Sequence, residues 1–201
     1  MIYLKLKDSE IKPAIIKKIT GSLKNGAVVV LPTDTVYGLS CLADDIKAIK
    51  RIYKMKRRDP KKPLITLIAS LTMAKKQALI SRRQANFLRK IWLSGTRPTT
   101  VILKSRGRLP KESAGITKSL ALRLPKDKFL IKILKTVDRP IISTSLNLSG
   151  QPNITDLKNL ADYFPKRLGQ PDLVIDRGIS RRRHSKLIDL RDENQAIVLR
   201  K

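Results

Sequence analysis

A short apolar run that stops at a proline constrains the fold of this 201-residue chain more than any other feature. Val28–Leu31 is a continuous, mainly β-branched run, which predicts a strand buried on both faces of an α/β sheet. Pro32 ends this strand, because proline cannot donate a hydrogen bond to the sheet. The hydroxyls of Thr33 and Thr35 follow, and the backbone can bend at Gly38. Open α/β sheets bind ligands where strands end, so the sequence predicts a binding site here.

A basic stretch lies downstream, after a short predicted helix. Asp45 is the predicted N-cap of an amphipathic helix over Ile46–Tyr53. The next ten residues, 54–63, contain six cations and two prolines, which indicates a basic loop rather than a packed element. Lys56 and Arg58 are two positions apart in this stretch, so both can face one cleft.

The remaining segments alternate between strand and helix patterns. Strands are predicted at Ile2–Leu6, Leu64–Ile68, Thr99–Leu103, Leu120–Leu124, Pro140–Thr144, Leu173–Ile175, Leu187–Leu190 and Ala196–Leu199. Helices are predicted from capping residues or an apolar stripe, at Asp8 or Ser9, Ser70, Ser81, Thr155 and over Phe129–Val137. The order predicts an α/β fold: a single domain over residues 1–201, with a twisted mixed sheet flanked by helices.

Three further segments carry predictions of their own. Trp92 lies on the apolar stripe of the helix that Ser81 caps, so we expect it in the core. The segment 104–118 is rich in Gly, Lys and Arg and is a candidate mobile lid. The basic run 181–184 is either a solvated loop or a phosphate or RNA contact, and the solvated loop is favoured because short basic runs are weak signals.

The charge of the chain indicates an anionic partner. Lys and Arg total 44 against 16 acidic residues, a formal net charge of +28. Such a field concentrates nucleic acids or nucleotide triphosphates, and its effect falls steeply with salt. The alternative is a lysine-rich proteome bias, because the cations are spread along the whole chain.

Several classes of protein are disfavoured by composition. No apolar run reaches about 18 residues, so no membrane span is expected. The first residues alternate like a strand rather than a signal peptide, which predicts a cytoplasmic protein. Cys41 and His184 are the only residues of their types, too few for a His/Cys zinc site, so no bound metal is expected.

Four motifs together resemble a known family. They are Pro32–Leu39 (PTDTVYGL), Lys56-x-Arg58, Pro63–Ile65 (PLI) and Ser143–Gly150 (STSLNLSG). In this order they are similar to the signature of the YrdC-like family, the threonylcarbamoyl-AMP synthases. The resemblance covers nearly the whole chain and matches the short, single-domain form.

The resemblance implies a specific reaction. L-threonine and bicarbonate would form a carbamate that attacks the α-phosphorus of ATP, which enters with Mg²⁺. Pyrophosphate would leave and L-threonylcarbamoyl-AMP would remain. The product would pass to the threonylcarbamoyl transferase machinery that modifies tRNA to threonylcarbamoyladenosine, so affinity for tRNA or double-stranded RNA is also expected.

The resemblance also implies site residues, taken position by position. The catalytic set would be Lys56, Arg58, Ser145 and Asn147. Threonine would be held by Thr33, Thr35, Arg123 and Ser185. The nucleotide would be held by Arg58, Lys62, Asn147, Thr155 and Arg200.

The sequence departs from the family at several positions, among them Leu67 in place of a histidine and Ser185-Lys186 in place of Ser-Thr, and it leaves alternatives open. Residues 92–100 replace the family's Trp-Pro-Gly-Pro-x-Thr motif and place Arg97 there. The first alternative is a YrdC-like protein that binds tRNA or rRNA without making the adenylate. The second keeps adenylation and changes the acyl group, as in carbamoyl-adenylate chemistry.

Overall fold

The computed structural model of the protein describes residues 1–6, 12–114, 118–180 and 183–201. Within these residues a mixed sheet of ten strands has helices on both faces. The strands are β1 Ile2–Lys5, β2 Val29–Leu31, β3 Gly38–Leu42, β4 Ile65–Leu67, β5 Thr99–Lys104, β6 Ser119–Arg123, β7 Ile141–Ser145, β8 Leu173–Asp176, β9 Lys186–Asp189 and β10 Ile197–Arg200. The predicted fold class, a mixed sheet flanked by helices, is confirmed.

The helices connect these strands across both faces. They are α1 Pro13–Lys24, α2 Ile46–Lys56, α3 Leu71–Gln77, α4 Arg82–Arg89, α5 Lys111–Ala114, α6 Lys128–Val137 and α7 Leu160–Tyr163. A π-helical turn, Lys90–Ser94, continues α4, and a 3₁₀ turn lies at Lys166–Leu168. No helix among the described residues has the length and apolarity that crossing a bilayer requires.

The sheet mixes parallel and antiparallel pairs. Its spatial order is β1-β8-β2-β3-β7-β4-β6-β5-β9-β10. The pairs β1/β8, β8/β2, β4/β6 and β5/β9 are parallel, and the others are antiparallel. The C-terminal ends of β2 and β7 are level with each other, because Leu31 and Ser145 both pair with Gly38.

Side-chain alternation on β2 divides the core between the two faces. Val30 packs in a cluster that includes Ile49 and Ile52 of α2. Val29 and Leu31 pack in another cluster, with α1 and α6. Successive residues of a strand point to opposite faces, so a strand covered on both sides must be apolar throughout, as Val28–Leu31 predicts.

The helix caps predicted at Asp45, Ser70 and Ser81 are confirmed. The Asp45 carboxylate accepts the backbone N–H of Ala48 at 2.9 Å, and Ser70 caps α3. Ser81 forms a full capping box with Gln84. The caps predicted at Asp8 or Ser9 lie outside the described residues, as do residues 115–117, 181 and 182.

Two predictions around the site are wrong. The sequence predicts a bend at Gly38, but Gly38–Leu42 is a fully buried strand paired with β2 and β7. The sequence also predicts that α2 ends at Tyr53 and that Lys54–Lys56 belong to a loop, whereas these residues form the last helical turn. Arg57 ends the helix in the left-handed conformation, φ 49°. Lys and Met are good helix formers, so the charge of the stretch was a poor guide to its backbone.

The predicted role of Thr155 as a helix cap is also wrong. Thr155 is exposed, and α7 begins only at Leu160, after Asn159. The Asp156 carboxylate accepts the N–H of Lys158 at 3.1 Å, a local turn that competes with helix formation.

The segment predicted as a mobile lid is partly packed. Residues Lys111–Ala114 form α5, in which Ser113 is fully buried and donates its hydroxyl to the carbonyl of Ala43. Trp92 is a core residue, as predicted, since it is 2% exposed and its indole N–H donates to the carbonyl of Thr99 at 3.0 Å.

Candidate active site

A cavity of about 150 Å³ is lined by the loop after β2, the start of β4, the last residues of β7, Arg123 of β6 and the residues just before β9. Seven of the eleven predicted site residues line it: Thr33, Thr35, Arg58, Arg123, Ser145, Ser185 and Arg200. Three of the seven are arginines. Among the described residues that line the cavity there is no carboxylate. The structure therefore builds a small, hydroxyl-rich and strongly cationic site.

Lys56 lies behind this cavity and is 1% exposed. Its Nζ donates to three oxygens: the carbonyl of Ser145, the carbonyl of Asn147 at 2.7 Å and Oδ1 of Asn147 at 2.8 Å. Three acceptors satisfy all three N–H groups of an ammonium. Lys56 thereby fixes the backbone of the segment that follows β7.

The electrostatic position of Lys56 is unusual. Burial lowers its pKa to about 7, and the nearby charge of Arg58 lowers it too. A buried lysine with such a pKa is typical of functional sites, because a structural position would more often hold an apolar residue.

Ser145 and Asn147 complete this network. The hydroxyl of Ser145 donates to Oδ1 of Asn147 at 2.7 Å, so that oxygen accepts from both Ser145 and Lys56. The amide nitrogen of Asn147 donates to the carbonyl of Gln151 at 2.6 Å. The structure thus joins three of the four predicted catalytic residues directly.

Arg58, the fourth of them, stands on the other wall of the cavity. Its guanidinium donates to the carbonyl of Pro63 at 3.0 Å, and its Nε reaches the carbonyl of Lys62 at 3.4 Å. Both acceptors are uncharged, so the cation keeps its full charge for a ligand. The side chain of Lys62 is exposed and does not line the cavity.

The two threonines and Arg123 form the deepest part of the site. The hydroxyls of Thr33 and Thr35 lie 2.9 Å apart, and Arg123 donates to Oγ1 of Thr35 at 3.0 Å. Arg123 also approaches Asp34 at 3.5 Å, with both side chains 5% exposed. Among the described residues, Nε of Arg123 is buried without a hydrogen-bond partner, so a donor is left for a ligand.

Ser185 and Arg200 form the third wall. The hydroxyl of Ser185 lies 2.8 Å from Oγ1 of Thr100 and 3.4 Å from a guanidinium nitrogen of Arg200. Arg200 also donates to the carbonyl of Ser185 at 3.0 Å. The pairing of β9 with β10 brings these residues to the cavity.

Thr155 and Arg97 lie away from the cavity, and some residues that line it were not predicted from the sequence. Thr155 is exposed and does not line it, and Arg97 of the divergent stretch is likewise exposed. A Cβ built on Gly38 would overlap the hydroxyl of Ser143, so only glycine fits there. Period-two spacing from Ser145 could have identified Ser143. His184 lines the cavity, and no pattern in the sequence signals this.

Comparison with known proteins agrees with this geometry. Residues 21–201 match the Sua5/YciO/YrdC family, whose description is "Telomere recombination". The chain belongs to this family. The family resemblance inferred from the motifs is thereby confirmed.

Individual family members support the assignment over most of the chain. A protein named threonylcarbamoyl-AMP synthase from Psychromonas ingrahamii is 37% identical over 182 residues, which cover 89% of this chain and 91% of the relative. A protein of the same name from Pyrococcus abyssi is 33% identical over 166 residues, or 83% of this chain and 47% of that protein. The chain therefore spans about half the length of the archaeal relative.

A solved structure gives the same fold. Pyrococcus abyssi Sua5 complexed with L-threonine superposes with a TM-score of 0.87 and 31% sequence identity. The match covers 100% of this chain and 57% of that chain.

Proposed function

We propose that the protein is an L-threonylcarbamoyladenylate synthase, which forms threonylcarbamoyl-AMP and pyrophosphate from L-threonine, bicarbonate and ATP. One observation carries the proposal: a buried, fully hydrogen-bonded lysine supports a small cavity lined by three arginines, with no carboxylate among its described lining residues. The names of the relatives that match most of the chain agree with it.

The charges of the reactants favour such a site. ATP, the carbamate and the threonine carboxylate are all anionic, and they must be brought together before the α-phosphorus can be attacked. Fixed cations that are aimed at developing charge lower the barrier of such a step. Holding several small reactants in one geometry lowers it further.

Each wall of the cavity suits one part of these reactants. Arg123 offers a guanidinium with an unpaired buried donor, which fits the threonine carboxylate. Thr33 and Thr35 present hydroxyls beside it for the threonine side chain. Arg58 and Arg200 lie nearer the opening, where they can bind phosphate oxygens.

The cavity volume indicates that threonine and bicarbonate bind inside the cavity and that most of ATP binds outside it. About 150 Å³ is below the ordinary range for a nucleotide-sized ligand, so only the small reactants are expected inside. ATP would extend outward past Arg58. Its phosphates and water would hold Mg²⁺, because the described lining residues offer hydroxyls and no carboxylate. Catalytic roles for Lys56, Ser145 and Asn147 are part of this proposal. The nucleotide contacts predicted for Lys62 and Thr155 are not part of it, because both residues are exposed and neither lines the cavity.

The cellular context follows from the reaction. The product is a mixed anhydride and would be passed to a threonylcarbamoyl transferase acting on tRNA. We therefore propose a cytoplasmic protein. We also propose that residues 1–201 act as one domain.

The decisive test is product analysis. Purified protein with ATP, Mg²⁺, bicarbonate and L-threonine is expected to yield pyrophosphate and an adenylate with the mass of threonylcarbamoyl-AMP. Carbamoyl phosphate in place of threonine tests the other acyl chemistry. Pyrophosphate release that ignores threonine, with no such adenylate, would contradict the proposal.

Affinity for RNA is a second candidate property, favoured by a groove beside the site. This groove, of about 920 Å³, shares Arg58 with the cavity. Its cations outnumber its single carboxylate, Glu112, and they are Lys50, Lys54, Arg57, Arg58, Lys61 and Lys111. Clustered cations of this kind bind the phosphates of tRNA or double-stranded RNA.

This candidate predicts a change in salt dependence. Replacing Lys54, Arg57 and Lys61 together with glutamine should reduce the slope of log K against log salt for tRNA by up to about three. The matched control replaces Lys17, Lys18 and Lys24 on α1, which lie away from the groove. Equal slopes in the two triple variants would contradict a groove-specific contact.

A further inference from the structure

Among the described residues that line the cavity, one side chain is able to take up a proton near neutral pH. Its described lining consists of hydroxyl, apolar and arginine side chains, together with Tyr37 and His184. Burial is the largest cause that raises the pKa of Tyr37, to about 12, and its hydroxyl donates to the carbonyl of Gly178 at 2.7 Å. The hydroxyls of serine and threonine are far weaker bases than imidazole. Among the described lining residues, His184 is therefore the one side chain that can accept a proton near neutral pH.

His184 is held in place by a neighbour outside the cavity. Its Nε2 lies 3.0 Å from the side-chain amide nitrogen of Asn153. A half-turn of the Asn153 amide puts the oxygen at the same position, where it accepts Nε2–H. In that arrangement Nδ1 carries no proton. Asn153 can thus select the tautomer whose basic nitrogen is Nδ1.

The surroundings favour the neutral form of this imidazole. His184 is exposed by its surface area, but partial burial lowers its pKa from the ordinary value near 6.5, and the charges of Arg200, Arg123 and Lys56 lower it further. Arg58 adds a fourth cation across the cavity. With no carboxylate in the described lining to oppose them, the neutral form is favoured.

We propose that His184 is the general base that removes a proton from the ammonium group of threonine so that the carbamate can form. This inference rests on the proposed function, and it adds a catalytic residue that the motifs do not contain.

Nδ1 of His184 takes one proton from the threonine ammonium, and the freed amine attacks the carbon of bicarbonate. A nitrogen–carbon bond forms while the carbon–hydroxyl bond breaks. The hydroxyl leaves as water with a second proton from the nitrogen, so the carbamate anion and an imidazolium remain. The imidazolium then returns its proton to solvent.

The first test compares pH profiles of His184→Gln and wild-type protein at saturating ATP and bicarbonate. Glutamine keeps a polar contact with Asn153 but cannot act as a base. At pH 7 the variant should be slower by about 10²-fold, a usual contribution of general base catalysis. The ratio of the wild-type rate to the variant rate should fall as the pH approaches the pKa of the threonine amine. More of the free threonine is then already deprotonated and needs no base.

The matched control is Arg183→Gln, which alters the exposed preceding residue and should leave the rate unchanged. A loss in His184→Gln that is equal at every pH would mean that the residue only shapes the pocket, and the proposal would be overturned. Wild-type rates in this variant would overturn it as well, while leaving the proposed synthase activity intact.

A second test does not depend on turnover. His184 is the only histidine, so its imidazole signals in the NMR spectrum need no assignment by mutation. We expect the pKa of His184 to lie below the ordinary value, and we expect its signals to shift when threonine is added. An imidazole that threonine leaves unaffected would overturn the role of His184. If wild-type protein makes no adenylate at all, the proposed function and this role fail together.

Discussion

Lys56 and Lys62 lie six positions apart in one basic stretch, yet the structure places them in opposite environments. Lys56, in the last turn of α2, is 1% exposed and donates to the carbonyl and side-chain oxygens that follow β7. The side chain of Lys62 is exposed, and only its backbone carbonyl is used, as an acceptor for Tyr53 and Arg58. The same residue type therefore has a structural and electrostatic role at one position and neither at the other.

The difference shows how a costly group marks a site. Removing an ammonium from water costs several kcal/mol, and three hydrogen bonds offset only part of that cost. An exposed lysine such as Lys62 pays no such penalty and contributes little to stability. We infer that Lys56 is retained for function, and the following predictions test this contrast.

The largest effect is expected for Lys56→Met, which keeps the volume and removes the charge. Without the ammonium, the segment that contains Ser145 and Asn147 loses the hydrogen bonds that fix it, so turnover should fall on the order of 10³-fold. Lys62→Met is the matched control and should stay within about twofold. Circular dichroism and thermal unfolding check that both variants fold. Equal activity in the two variants would contradict the functional difference between Lys56 and Lys62.

A smaller loss of turnover is expected for Arg58→Ala. This change removes a cation that lines the cavity but bonds only to the exposed backbone around Pro63. Turnover with saturating threonine should fall on the order of 10²-fold, with an unchanged midpoint of unfolding. A variant that is unstable rather than slow would show that Arg58 supports the fold instead of the reactants.

The smallest effect concerns how stability depends on pH. The folded pKa of Lys56, about 7, is below its unfolded value of 10.5, so between these pH values the unfolded chain binds one more proton. This group therefore makes wild-type stability rise with pH, by up to about 1.4 kcal/mol per unit across the window. Relative to wild type, Lys56→Met should lose stability steadily from about pH 7 to 10, as measured by urea unfolding. Parallel pH curves would mean that Lys56 titrates normally.

Parts of the fold with local signals could be predicted from sequence. The apolar run at β2 and the caps at Asp45 and Ser81 are formed by neighbouring residues, so their patterns are readable. The strand β3 could not be predicted in this way. Ser40 and Cys41 give it no alternating pattern, and it is a strand because β2 and β7 pair with it on both sides.

The site shows the same limit. The motifs identified Lys56, Ser145 and Asn147, but not that the lysine is buried, because its acceptors lie 89 and 91 positions later in the chain. The hydroxyl pair of Thr33 and Thr35 was readable as a local feature. The position of His184 was not, since its place in the lining depends on how the end of the chain returns to the sheet.

Isotope exchange between pyrophosphate and ATP tests the central claim most directly. If the cavity supports reversible formation of the adenylate, label from radioactive pyrophosphate should enter ATP only when L-threonine and bicarbonate are both present. Exchange should persist in Lys62→Met and disappear in Lys56→Met. Exchange that proceeds without threonine, or that survives the loss of Lys56, would contradict the account.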